Sequence, residues 1–168
     1  QLRFKDENGN PYPDWEEKYF KDVVKEYRLG GNYTNTEEET IYPLIKMGNL
    51  GRGNISLNKV KYIKQGEDLD EKDLIKYGDL FFNTRNTLDL VGKVAIWKNE
   101  LSRAFYNSNL MCIEFDNNFF MNYRLNSFKG IKGLRRLATG TTSVAAIYTK
   151  DLLKLKLIVP CLPEQQKV

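Results

Sequence analysis

From Asn117 to Ala138 the chain reads NNFFMNYRLNSFKGIKGLRRLA, and Phe120, Tyr123, Leu125, Phe128, Ile131, Leu134 and Leu137 recur about three positions apart. That period belongs to a helix with one apolar face, and the bases fall largely opposite it. Gly130 and Gly133 weaken the helix, so a kink or break is expected there. The aromatic stripe over residues 119–128 is assigned to the core. The stretch decides the fold class because the segments around it follow a shorter period.

Upstream, RFKDENGNPYPDW (Arg3–Trp15) is turn-rich and reads as an extended opening arm. DWEEKYFKDVVKEY (Asp14–Tyr27) is expected to be helical, with Asp14 as its N-cap. IYPLIKM (Ile41–Met47) reads as a strand that Pro43 demotes to an edge or bulged position. GNLGRGNISLN (Gly48–Asn58) is a loop whose glycines relieve positive φ, and VKYIK (Val60–Lys64) is a short strand. DEKDLIKYGDLFFNT (Asp70–Thr84) starts as a polar helical turn, bends at Gly78–Asp79 and ends in the strand LFFN. TRNTLDLV (Thr84–Val91) reads as a loop, GKVAIW (Gly92–Trp97) as an alternating strand, and AFYNSNLMCIEFD (Ala104–Asp116) as one longer strand. Downstream, VAAIY and LKLKLIVP are the last strands, and LPEQQKV opens a helix with Pro163 in its first turn. Short strands with segregated helices make an α+β domain.

The chain has 168 residues, 41% of them hydrophobic and 29% charged, which suits one domain with its own core. No apolar run approaches the length of a membrane span, and no leader segment is expected. The start at Gln1 and the helix just beginning at PEQQKV lead to the expectation of a stretch from a longer protein. Cys112 and Cys161 lack CxxC partners, so a reducing, cytoplasmic setting fits, with Cys112 buried. There is no histidine, which removes the usual neutral-pH base, the Ser-His and Cys-His pairs and the common zinc sites.

Charge is unevenly placed. Residues 41–66 carry five bases and no acid, and residues 117–150 carry six bases and no acid, while residues 1–40 and 67–80 are each net −4. Segregated basic charge is the footprint of a polyanion binder. ATGTTS (Ala138–Ser143) fails as a phosphate-binding loop because no GK[ST] follows Gly140 and a helix precedes it. GNLGRG fails as a dinucleotide fingerprint, and no glycine-rich cofactor loop or NPPY-like pocket supports a methyl transfer by this chain. Asp14, Asp70, Glu71 and Lys72 can be forced into a magnesium nuclease pattern, a remote alternative. A basic module for an acidic protein partner is the main alternative, and an RNA binder lacks its usual motifs.

NTRNT (Asn83–Thr87) and GRGN (Gly51–Asn54) each place an arginine among amides and hydroxyls on a loop. Arginine pairs bidentately with guanine, and asparagine with adenine.

Three blocks then carry a family resemblance. PYPDWEEKYFKDV, GDLFFNTRNTLDLVGKVAIW and RLATGTTSVAAIYTKDLLKLKLIVPCLPEQQKV, in that order, resemble the target-recognition domain of type I restriction–modification specificity subunits. After Thr142, where the family often has Gln, Lys and Asn, this chain has SVAAIY, so no base contact is assigned to Val144–Ala146.

The resemblance implies an irregular mixed β-sheet, partly β-helix-like, with a helical appendage. It implies a non-catalytic domain over residues 1–160 that reads one half of a split double-stranded DNA target, followed at 161–168 by the start of a spacer helix. The partners would be modification subunits and a restriction subunit, and S-adenosylmethionine, ATP and magnesium would sit on those, with no cofactor here and no membrane. On this reading Arg52, Asn54, Arg85 and Asn86 meet base edges. Lys46, Lys93, Lys129, Lys132, Arg135 and Arg136 meet phosphates, which position the protein without specifying sequence. Thr139, Gly140, Thr141 and Thr142 approach the backbone or a groove.

Overall fold

The strands encoded by these apolar runs are short, and the computed structural model, which describes residues 3–168, gathers them into four small sheets. In chain order they are β1 (Glu16–Tyr19), β2 (Val24–Leu29), β3 (Asn35–Thr36), β4 (Pro43–Ile45), β5 (Lys61–Ile63) and β6 (Leu80–Asn83). There follow β7 (Arg85–Asn86), β8 (Val94–Ile96), β9 (Phe105–Tyr106), β10 (Leu110–Phe115), β11 (Thr139–Gly140), β12 (Ala145–Ala146) and β13 (Lys156–Val159). The helices are α1 (Phe20–Val23), α2 (Asn118–Asn126), α3 (Phe128–Leu137), α4 (Thr149–Leu152) and α5 (Leu162–Gln165).

The central sheet runs β2-β10-β6-β8, all antiparallel. Alternate residues of its strands enter two different apolar cores. Leu80, Phe82, Val94, Ile96, Met111 and Ile113 point into one, with Phe120, Leu125 and Leu134 of α2 and α3. Phe81, Ala95, Leu110 and half-buried Cys112 point into the other, with Ile45, Leu50, Trp97 and Tyr106. Strands covered on both faces are apolar throughout, which explains why VAIW does not alternate between core and solvent as expected. A second sheet, β3-β5-β4-β9, holds the parallel pair β4–β9 and packs Leu44, Ile63 and Phe105 around Tyr33.

Several expectations need correction. Asp14–Tyr27 is not a helix: β1 pairs with β13, one helical turn intervenes, and β2 pairs with β10. Distant strand partners satisfy its backbone, which overrides local propensity. Asp14 is an exposed partner of Arg3 at 3.3 Å and caps nothing. β4 lies inside its sheet, tolerated because Pro43 is its first residue. Of Gly48, Gly51 and Gly53, only Gly53 has positive φ. Ala104–Asp116 is two strands, because residues 107–109 turn between β9 and β10. TRNTLDLV contains β7.

The break in Asn117–Ala138 falls at Ser127, not at a glycine. Ser127 ends α2 in extended conformation and caps α3 by accepting the Gly130 N–H at 3.2 Å. Gly130 instead lets the two helices meet, since a Cβ there would lie 2.4 Å from the Arg124 carbonyl oxygen. The aromatic stripe splits: Phe120 is buried, but Phe128 is 81% exposed and Tyr123 60% exposed. These rings line an open groove of about 560 Å³ with Phe4, Trp15 and Val168. Both cysteines are free and half-buried, and burial, aided by Asp79, pushes the Cys112 thiol up to about 12.

Candidate nucleic-acid interface

The small polar tract after α3 folds as a β-hairpin. Its strands β11 and β12 pair Thr139 with Ala146 and Gly140 with Ala145. The turn is closed by the Thr141 N–H donating to the Val144 carbonyl at 2.8 Å, and the Val144 N–H donating back to Thr141 Oγ1 at 3.2 Å. Residues 139–144 are exposed, while Ala145 and Ile147 return to the core.

β12 pairs on its other side with β7, setting Ala145 opposite Asn86 and Ala146 opposite Arg85. Two further bonds lace the segments together: Leu88 N–H to the Thr142 carbonyl and Ile147 N–H to the Thr84 carbonyl, each at 3.0 Å. The two stretches singled out separately in the sequence thus form one three-stranded sheet, β11-β12-β7. Arg85 is exposed on it, and Asn86 is half-buried with its side-chain oxygen accepting the Thr87 N–H at 2.8 Å.

Asp89 ties further elements to this sheet. Its carboxylate pairs with Arg135 on α3, and its carbonyl accepts from Arg52 Nη2 at 3.3 Å. The loop bearing Arg52 and exposed Asn54 is anchored by the Gly53 N–H donating to the Val94 carbonyl at 2.7 Å, beside Lys93. Lys132 and Arg136 are exposed on α3. Asp89 was missed in the sequence because a lone acid in a loop carries no period; only its position among arginines makes it notable.

Two predicted phosphate contacts lie elsewhere. Lys46 belongs to the loop after β4, and its Nζ donates to Asn35 Oδ1 at 3.3 Å. Lys129 lines the apolar groove, roughly 12 Å of helix rise from the hairpin end of α3.

Among the described residues no group of three or more His, Cys, Asp or Glu side chains could hold a metal ion; Asp14 pairs with Arg3, and the Asp70 side chain accepts the Lys72 N–H. Among them, too, no helix is long and apolar enough to cross a membrane. An exposed hairpin flanked by arginines and small hydroxyls has the shape and charge to enter a nucleic-acid groove, since the major groove admits a two-stranded β-ribbon.

Comparison with known proteins leads the same way. Residues 12–168 match the family described as type I restriction modification DNA specificity domain. A Methanocaldococcus jannaschii protein named as type I restriction enzyme MjaX specificity subunit is 26% identical over 172 aligned residues, covering 98% of this chain. The chain spans 40% of that relative's length. Among solved structures, a chain from work on assembly and conformational transition of a type I R-M system aligns over 98% of this chain and 38% of its own, with TM-score 0.63 and 17% identity. The S subunit of the M. genitalium type I restriction-modification system aligns over 92% and 37%, with TM-score 0.62 and 14% identity. The HsdS subunit of Thermoanaerobacter tengcongensis aligns over 98% and 37%, with TM-score 0.57 and 16% identity. At these identities the structures establish a shared fold.

Proposed function

Because the chain belongs to the type I restriction modification DNA specificity domain family, we propose that it reads one half of a split duplex target and itself performs no catalysis. The observation that carries this reading is the β11-β12-β7 sheet, which sets the exposed hairpin beside Arg85 and, through Asp89, beside Arg52 and Arg135. Arg52, Asn54, Arg85 and Asn86 meet base edges. Lys93, Lys132, Arg135 and Arg136 hold phosphates, with Lys46 and Lys129 as outlying contacts, and Thr139–Thr142 line the groove. Residues 1–160 form the reading domain, and 161–168 begin a spacer helix. The partly β-helix-like winding implied by the resemblance belongs to the same reading.

In this role the domain works within an assembly. Modification subunits with S-adenosylmethionine methylate the target, and a restriction subunit uses ATP and magnesium, all in the cytoplasm.

Titration of duplex DNA at several salt concentrations tests the proposal. Arg85→Ala is expected to lose about 10- to 100-fold in discrimination at one base, the scale of a bidentate contact. Arg136→Ala is expected to weaken all sequences alike and to lower the salt slope by about 1. Equal, sequence-independent losses from both would overturn the role given to Arg85. No binding to duplex DNA, with capture of an acidic protein instead, would overturn the DNA reading altogether.

A further inference from the structure

Val144 is 62% exposed at the turn of the hairpin, the one large apolar side chain in the tract from Thr139 to Ala146. A lone exposed valine on a surface ordinarily needs no explanation. This one differs in how firmly it is presented. Its N–H and carbonyl are both tied to Thr141, at 3.2 and 2.8 Å, and Thr141 Oγ1 also lies 3.3 Å from Ser143 Oγ. Its neighbour Ala145 is buried and paired across the sheet with Asn86, next to Arg85. The exposed side chain is therefore carried on a turn fixed by the Thr141 N–H and hydroxyl, next in sequence to the pairs that Ala145 and Ala146 make with Asn86 and Arg85. Hydroxyls surround it, so it adds the apolar contact that they cannot make.

Against the expectation from the sequence, which assigned no base contact to Val144, we propose that Val144 is a specificity-determining residue that reads the 5-methyl group of a thymine in the major groove. Thymine is the base that offers a methyl group there, and apolar side chains are its recognition partners. The β-branched end of valine presents two methyl groups on a single stiff torsion, which suits contact with one small apolar knob. This inference rests on the DNA-reading role proposed above.

The test starts with selection of bound duplexes from a random library by the 168-residue chain. Each thymine of the enriched site is then replaced singly by uracil, which removes only the methyl group. One replacement is expected to weaken wild-type binding about fourfold, the size of a methyl group taken out of water. Val144→Ala is expected to bind the thymine and uracil forms equally at that position while keeping its other preferences. Val144→Ser, made in parallel, should do the same, and unchanged amide exchange at Thr141 in either variant shows that the hairpin's turn survives. A methyl preference that persists in both variants, or an enriched site indifferent to every methyl group, would overturn the role of Val144 and leave the DNA-reading role standing. Failure to enrich any sequence would overturn both.

Discussion

Gly140 holds φ at +126°, and a Cβ there would lie 2.3 Å from the Val144 carbonyl oxygen. That oxygen cannot retreat without losing the Thr141 N–H that closes the turn. Gly140→Ala should therefore destabilise the hairpin locally by about 2 kcal/mol, the range for a side chain forced into a glycine-only region. Amide exchange at Thr141 should accelerate about 30-fold while β6 and β10 keep their protection, and DNA binding should weaken in step. Uniform exchange rates would show that the hairpin tolerates the substitution. The glycine was visible in the sequence, but the reason for it was not, because the clash involves a carbonyl brought in by the turn.

At the scale of elements, Asp89 joins three that the sequence keeps apart: the loop with Arg52, the turn after β7, and α3 through Arg135. Both side chains of the Asp89–Arg135 pair are largely exposed, so the pair adds little to stability. Its effect is on binding, where a carboxylate among cations orients Arg135 and offsets part of its charge toward the phosphate. Asp89→Asn is expected to raise affinity for random duplex several-fold and to steepen the salt dependence by about one counterion, as the carboxylate no longer offsets the charge that Arg135 presents to a phosphate. Unchanged affinity and slope would place Arg135 outside the contact. α2 and α3 were legible from their period, and β12 and β13 from the apolar runs VAAIY and LKLKLIVP, whereas β11 lay hidden in the small polar tract. The break at Ser127 was not, since an N-cap serine outweighs two glycines only once the helices are seen to cross there.

Across the whole molecule, Glu164 binds the two ends of the chain. It is fully buried in α5 and accepts from Arg3 Nε at 2.9 Å, the Phe4 N–H at 3.3 Å and Trp15 Nε1 at 3.1 Å. Burial pushes its carboxyl up, but these hydrogen bonds and the Arg3 charge outweigh it and leave it below the ordinary carboxylate range. A carboxylate with a lowered folded pKa stabilises the fold above its unfolded value, about 4.3, and that stability is lost as the pH falls through the folded value. Acidification should thus release the opening arm, seen as a shift of the Trp15 indole N–H resonance. Glu164→Gln should cost about 2 kcal/mol at neutral pH and flatten that acid response; a response that persists would assign it to another group. Sequence by itself determined the local elements that repeat a single period, the strands of LFFN and LMCIEF and the helices of residues 118–137, together with the uneven basic charge and the arginine-bearing loops. Tertiary structure alone decided that Asp14–Tyr27 forms two strands about one helical turn, that the central strands divide their alternate faces between two cores, and that Asp89 draws Arg135 to its carboxylate and Arg52 to its carbonyl. The physical reason is the reach of each interaction. Side-chain period and capping act within a few residues, whereas β pairing and ion pairing draw partners from anywhere in the chain, so the partner is known only when the fold is.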